Sequence, residues 1–413
     1  MNWINAKLIF INIFIFFILY LCISSVFYYL NKNSMKNKSN RMYTVNTIRA
    51  TYPNYNDFNK STALDIFNEY ANVKTEYKPY IGYRRKTYNG NAVNIEEEYG
   101  FRLSTNHQID DSIWFLGGST LWGTGSTDDS TIPSYFAKIT NENVLNFGET
   151  GWNSYQNFIQ LQMMLIKGYK PKRVIFYSGG VDGYRYCTKD TDFISHGQTQ
   201  KFKQYIESYK SLEKSLKKIK NSSNNECKFS SLYNSMYRKM KNFLNSPYIY
   251  FAKNKDQTTN NLKTDKKFNS FGKKNSYLIC ENIENAKKAA NTTVEVWLLT
   301  FKLLKEYNIP VLFVLEPAAT YKPEQYNLDY LLNTVKQSIV DETDSRTNYI
   351  NSINNIWSDK CIKYNICSDL LDLTQNIFDK NDAIFIDERH ISPSGNKIVA
   401  EQIAKKLKIR SGK

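Results

Sequence analysis

Trp114-Phe115-Leu116-Gly117-Gly118-Ser119-Thr120-Leu121-Trp122-Gly123-Thr124-Gly125 is the stretch on which the reading of this chain turns. With Ile113 ahead of it, the run to Leu116 is short and wholly apolar, the pattern of a strand buried on both faces. Two glycines end the run and set Ser119 at the strand's carboxyl end, where a parallel sheet builds its sites. Glycines before a serine let the backbone turn sharply and leave the hydroxyl reachable. No Lys follows them, which excludes a phosphate-cradling loop, and Gly123-Thr124-Gly125 lacks the third glycine of a dinucleotide fingerprint. For this stretch alone, a glycine turn carrying an incidental serine stays open as the plainer reading.

The far end of the chain weighs against it. There stands Phe385-Ile386-Asp387-Glu388-Arg389-His390-Ile391-Ser392-Pro393-Ser394-Gly395-Asn396. The chain has 3 histidines, His107, His196 and His390, and the first two read as surface residues. Only His390 has an acid three residues before it and a helix start just after, with Ser392 as N-cap and Pro393 at the first helical position. An Asp and a His this close can share one turn, the Asp orienting the imidazole toward a serine from elsewhere. A parallel sheet can join such distant residues, because all its strands end at one face.

The segments between them alternate. Residues 132–139 read as a helix, 144–147 as a strand, 154–167 as a helix and 173–177 as an apolar strand. After a long insertion come a helix at 293–307, the clearest strand of all at 310–315, and a helix at 327–340. A strand or strand edge follows at 367–373, then the body of a closing helix at 398–407. Alternation of this kind means crossover units on a parallel sheet with helices on both faces, so the expected fold is a three-layer α/β/α sandwich, flavodoxin-like in outline.

At this point four blocks, in order, resemble the signature of the SGNH (GDSL-like) hydrolases. They are Gly117-Gly118-Ser119-Thr120, then Asn146-Phe147-Gly148-Glu149-Thr150-Gly151, then Ser178-Gly179-Gly180-Val181-Asp182-Gly183, and last Asp387 with His390. The resemblance spans roughly residues 76–410 with one large insertion. It implies Ser119 as nucleophile, His390 as base, Asp387 as its orienter, and an oxyanion hole of the Ser119 and Gly151 backbone N–H groups. One departure bears on activity: the family's third block places an Asn as oxyanion donor where this chain has Val181, whose side chain can donate nothing. Losing one such donor typically costs about 10²–10³ in rate.

Ahead of this region, residues 8–30 run for 23 positions without a charge, enough to span a bilayer core as a helix. Ile23-Ser24-Ser25 is a poor cleavage site, so the segment reads as an uncleaved anchor, and Cys22 as a membrane-facing small hydrophobe. Lys32, Lys36, Lys38 and Arg41 follow the span, and the positive-inside rule read literally puts the large domain in the cytoplasm. The family resemblance argues for the outside, since anchored members of this kind act on envelope polysaccharides. Residues 31–75 are polar and read as a stalk, with one helix-like piece at 61–73. The Tyr- and Arg-rich stretch at 76–85 reads as an edge hairpin whose side chains pack, with stacking on sugars as the alternative.

Lys and Arg number 55 against 39 Asp and Glu, a formal charge of +16. Residues 199–276 carry 18 Lys and Arg against 5 Asp and Glu, and so hold most of that excess. This insertion, at about 190–280, reads as a solvated basic arm with helix-like pieces at 201–220 and 230–244. Anionic glycan or lipid headgroups are its alternative partners. It has no recognisable nucleic-acid module, so nucleic acid is not expected as a partner. Among 6 cysteines, Cys361 with Cys367, and Cys227 with Cys280, are the pairs that invite disulfides in an oxidising envelope. No Cys-x-x-Cys or His pair has metal-ligand spacing, and neither metal nor cofactor is expected. The sequence therefore points to a membrane-anchored serine esterase or acyltransferase working on O-acyl groups, acetyl foremost, of an acylated envelope glycan. A catalytically weak glycan-binding module and a phospholipid esterase are the alternatives.

Overall fold

A computed structural model describes residues 43–188, 278–375 and 377–411, with single positions at 18, 20, 24, 25, 28, 29, 208, 210, 211, 213 and 214. The chain divides into two units, Met1–Asn46 with Ser208–Ser270, and Thr47–Glu207 with Phe271–Lys413. What is described of the first is helical. The second holds everything that follows.

After a short 3-10 turn at Pro53–Tyr55 comes helix α1 (Lys60–Asn72), started by Asn59, whose side chain accepts the Thr62 N–H at 2.8 Å. Two short antiparallel pairs follow, β1 (Thr75–Lys78) with β2 (Gly82–Arg85) and β3 (Tyr88–Asn89) with β4 (Asn94–Ile95). The chain then alternates: β5 (Ile113–Gly117), α2 (Ser119–Trp122), α3 (Ile132–Thr140), β6 (Val144–Asn146), α4 (Ser154–Ile166), β7 (Arg173–Ser178) and α5 (Gly180–Tyr186). Beyond the insertion come α6 (Ile283–Glu306), β8 (Val311–Leu315), α7 (Asn333–Tyr364), β9 (Leu370–Asp372) and α8 (Pro393–Ser411).

The last five strands form one parallel sheet in the order β6-β5-β7-β8-β9. Counted from β5, this is the 2-1-3-4-5 order of flavodoxin-like sheets, whose strand order reverses between the first and third strands. Side chains alternate through the sheet as a two-residue period requires. Phe115, Tyr177 and Val314 enter a core shared with Phe136 of α3 and Ile403 of α8. Leu116, Phe176 and Phe313 enter a second core with Leu161 of α4, Trp297 of α6 and Trp357 of α7. The α/β fold with helices on both faces of a parallel sheet is as the alternation predicts.

Three expectations are corrected. The later part of the proposed 31–75 stalk is packed: Tyr52, Tyr55, Ile66 and Phe67 are buried in the first of these cores. Ala63, Ile66 and Phe67 recur at helical spacing, and the surrounding Asn, Lys and Ser dilute that stripe until it reads as polar. The helix expected at 327–340 starts later and runs to Tyr364, 32 residues in all. The run from Asp341 to Thr347 reads as a helix end, yet Arg346 pairs with Glu342 one turn back, at 2.8 Å, and carries the helix through.

The third correction concerns sulfur. Cys280 is bonded to Cys187 and not to Cys227, which lies outside the described residues. Cys187 closes α5 and Cys280 lies just ahead of α6, both fully buried in the second core, so the tertiary packing brings these two together. Thr188 and Leu278 form an antiparallel bridge, and the Ile279 N–H donates to the Cys187 carbonyl at 2.9 Å. The insertion therefore leaves and returns at one point. Cys361 and Cys367 form the second disulfide, at the end of α7. The bridges enclose 93 and 6 residues of sequence separation, and loop-closure entropy makes the longer one worth more by about 2 kcal/mol. Replacing Cys187 and Cys280 together by Ala is expected to cost about 2–5 kcal/mol in a denaturant titration, and the Cys361/Cys367 pair less. Equal losses would show that the long bridge constrains nothing in the unfolded chain.

Among the described residues no helix is long and apolar enough to cross a membrane. The proposed anchor at 8–30 lies outside them apart from six positions, and most of the insertion, with His196, lies outside them too.

Candidate active site

Ser119 is the first residue of α2, directly beyond the end of β5. A Cβ on Gly118 would stand 2.6 Å from Cγ2 of Val181, so only glycine lets the chain turn there. As the first residue of a helix, Ser119 has an N–H without an intrahelical acceptor. The loop that follows is fixed from beneath by Arg102, whose guanidinium donates to the carbonyls of Trp122 at 3.0 Å, Gly123 at 2.7 Å and Ser126 at 2.6 Å, and pairs with Asp128 at 2.8 Å. The same guanidinium lies over the Trp122 ring at 4.3 Å.

The far end of the chain meets this loop from above. Asn396, in α8, donates to Ser126 Oγ at 2.7 Å and to the Ser130 carbonyl at 2.9 Å. Gly125 sits at φ +85, and a side chain there would run into Ile386 and Tyr55. Within the loop ahead of α8, the Ile386 N–H bonds to the His390 carbonyl at 2.9 Å and Phe385 bridges Ile391. These contacts set His390 over Ser119.

His390 Nε2 lies 2.6 Å from Ser119 Oγ, and His390 Nδ1 lies 2.7 Å from Oδ2 and 2.9 Å from Oδ1 of Asp387. A carboxylate only accepts, so Nδ1 carries the proton and Nε2 accepts from the serine hydroxyl. Asp387 Oδ1 also takes the backbone N–H groups of Arg389 at 3.1 Å and His390 at 2.9 Å. Burial alone would push the Asp387 carboxyl up, but the His390 charge and hydrogen bond, with Arg49 beside it, hold it well below the usual carboxylate range. Arg49 Nη2 stands 3.5 Å from Asp387 Oδ2. No local pattern in the sequence marks Arg49, which falls in the supposed stalk.

Gly151 lies in the loop between β6 and α4, at the same end of the sheet, with φ +77, a conformation that favours glycine. A Cβ there would stand 2.6 Å from the Tyr83 hydroxyl. Strand β2 holds this loop in place: Tyr83 donates to the Thr150 carbonyl at 2.7 Å, Trp152 Nε1 donates to the Tyr83 carbonyl at 2.9 Å, and the Arg85 N–H donates to Glu149 Oε2 at 2.8 Å. Buried Arg84 and Arg85 and the Tyr83 bonds agree with packing as the role of the hairpin, while Tyr77 and Tyr80 are exposed. His107 is at the surface, its Nδ1 2.6 Å from the Ser104 carbonyl.

Val181 is buried against Gly118, at the start of α5. Asp182 takes no part in the cleft: its carboxylate accepts from the Ser154 N–H and hydroxyl, both at 2.8 Å, and from the Gly179 N–H at 3.2 Å. Glu316, just past β8, accepts the Gly180 N–H at 2.6 Å and the Val181 N–H at 3.2 Å, which fixes the start of α5. Burial pushes its carboxyl up to about 7; the Gly180 bond and Arg389 work against the rise and nearby Asp182 adds to it. Between the ordinary value of 4.5 and about 7 the folded chain holds a proton that the unfolded chain has lost. Stability therefore falls as pH rises through that window, by up to about 3 kcal/mol at about 1.4 kcal/mol per unit. Glu316→Gln keeps the acceptor and removes the titration. Its melting temperature relative to the parent is expected to be higher at pH 8 than at pH 5; a gap that does not change with pH would mean an ordinary carboxyl. Among the described residues no cluster of His, Cys, Asp or Glu could hold a metal ion.

No protein-family model matches the chain, and no curated protein matches it. Among solved structures it is similar to a GDSL-like lipase from Bacteroides thetaiotaomicron, at 12% identity and a TM-score of 0.36 over 73% of this chain and 89% of that one. It is also similar to an acetyl xylan esterase, at 13% identity and a TM-score of 0.35 over 71% of this chain and 98% of that one. At these similarities the role of the site rests on its own geometry.

Proposed function

We propose that this chain is a serine esterase, or an acyltransferase by the same half-reaction, acting on O-acyl groups of a cell-envelope polysaccharide, acetyl foremost. The observation that carries the reading is the hydrogen-bonded line Ser119, His390, Asp387 at the carboxyl end of the sheet, with separations of 2.6 and 2.7 Å. Ser119 Oγ attacks the ester carbonyl carbon as His390 Nε2 takes its proton. The oxyanion forms between the N–H groups of Ser119 and Gly151. The ester C–O bond then breaks, and Nε2–H protonates the departing sugar oxygen. Water on the acyl-serine releases the acid; a second sugar hydroxyl in its place completes a transfer. Asp387, backed by Arg49, stabilises the imidazolium through both steps.

The uncharged residues 8–30 and the family resemblance support an envelope location with the site outside the cytoplasm. A second reading, a glycan-binding module of low activity, is favoured by one observation: Val181 fills the place beside Gly118 with a methyl group and no donor. The test is a fluorophosphonate probe on the full-length chain with the adduct mapped by mass spectrometry, run beside acetate release from acetylated glycans and fatty-acid release from liposomes. An adduct on Ser119 with acetate release supports the proposal. Fatty acid without acetate makes the enzyme a phospholipid esterase, and no adduct with tight glycan binding leaves the binding module.

A further inference from the structure

Helix α5 carries more toward the site than Val181. Arg185 stands four residues on, hence on the same face one turn away. Its Nη2 lies 3.5 Å from where a Cβ on Gly151 would be, beside the proposed oxyanion donor. Arg389 directly precedes His390. The two guanidinium groups share one ring, Tyr184, with Arg389 at 4.1 Å and Arg185 at 5.1 Å from its centroid. A third, Arg346, reaches the same ring at 5.2 Å but is bound to Glu342 at 2.8 Å and to the Gly183 carbonyl, a buried prop for the end of α5. Arg389 is paired with Glu388 at 2.7 Å and keeps its side chain 17% exposed. Tyr184 and Arg185 are half-buried, so this edge of the cleft is not sealed off in the core.

Two arginines on one aromatic ring, one beside the Gly151 turn and one adjoining His390, are placed as a fork for a planar anion. Guanidinium groups bind carboxylate and phosphate bidentately, and a ring beneath them fixes their planes. Burial pushes Arg185 below its ordinary pKa; Tyr83 and Tyr184 work against the fall, and the charges of Arg389 and Arg346 add to it. A neutral acyl sugar offers such a pair hydrogen-bond acceptors but no charge to match it. The geometry points to a subsite, formed by Arg185 and Arg389 on Tyr184, for an anionic group carried by the substrate next to its ester. Resting on the esterase reading above, this makes the substrate an acidic glycan, its anion either a sugar carboxylate or a backbone phosphate.

The test uses the full-length chain with Ser119→Ala, which binds but cannot turn over, titrated calorimetrically at low salt. The probes are oligogalacturonate, a glycerol-phosphate oligomer and a neutral xylo-oligosaccharide of similar length. The expected result is at least 10-fold tighter binding of one or both anionic oligomers, with that preference falling at least 5-fold on Arg185→Gln in the same background. The arm that falls names the anion. Arg389→Gln is the second variant, expected to behave alike if Arg185→Gln fails to fold. Equal affinity for neutral and anionic oligomers overturns the proposal. So does an anion preference that survives both variants, which would place it on the basic insertion. On the Ser119 parent, 4-nitrophenyl acetate hydrolysis reads the esterase proposal separately. A loss on Arg185→Gln equal for neutral and anionic esters would assign Arg185 to the oxyanion and overturn the subsite.

Discussion

Ser119→Ala is expected to lower kcat/KM for 4-nitrophenyl acetate by about 10⁴-fold or more, measured on the full-length chain with melting temperature as the check on folding. The estimate follows from the single line of contacts through which the proposed chemistry passes. Without Oγ there is no acyl-serine, and only the backbone donors and general binding remain to help water. His390→Ala should cost about as much, and the double variant no more than either, because the two side chains form one device. Asp387→Asn should fall in the same range for another reason. An amide nitrogen facing Nδ1 reverses the tautomer, so that Nε2 carries the proton and can no longer accept one from Ser119. Activity in the parent that Ser119→Ala leaves intact would place the hydrolysis elsewhere. A parent already at the level of Ser119→Ala would remove the esterase reading.

Val181→Asn should move activity the other way, raising kcat by about 10²-fold as a third donor joins the oxyanion hole. Val branches at Cβ and Asn at Cγ, so the amide reaches one atom further than Val181 Cγ2, which already points at Gly118, one residue from Ser119. The amide would extend past that position toward Ser119, where the turn at Gly118 is tightly packed. The buried site exacts a cost in the resting state, because Val181 is 4% exposed and an amide there waits unsatisfied for substrate. A loss of about 1–3 kcal/mol in stability should accompany the gain in rate. Rate up with melting temperature down identifies the missing donor. Both down would mean that the methyl group is needed to shape the turn at Gly118, and that the chain works with two donors.

The grouping of Ser119, His390 and Asp387 was legible because each sits in a short local pattern. An apolar run ends in two glycines before Ser119, and an acid stands three residues before His390 at a helix start. The positions of the sheet strands along the chain could be read too, since apolar runs such as 310–315 leave little choice. What escaped was set by contacts between distant segments. Arg49 backs Asp387 from a stretch whose composition looks like a linker, and nothing adjacent to Arg49 announces an acid hundreds of residues later. Glu316 reads as an ordinary polar residue after a strand until its bonds to Gly180 and Val181 are seen. The pairing of Cys280 depends on where α5 ends and α6 begins, which spacing along the chain does not encode. In α7 a polar stretch looked like a stop, although its Glu and Arg are one turn apart and bind each other.

The bridge between Thr188 and Leu278, with the Cys187–Cys280 bond beside it, makes the segment between them a cassette. A chain that departs and re-enters through neighbouring residues asks nothing of its contents except that the ends be close, so the α/β body and the basic segment are free to evolve at different speeds. The same closeness invites surgery. A two-residue turn is enough to join bridge partners, and a version of the molecule stripped of most of its positive charge could be made without disturbing a strand of the sheet.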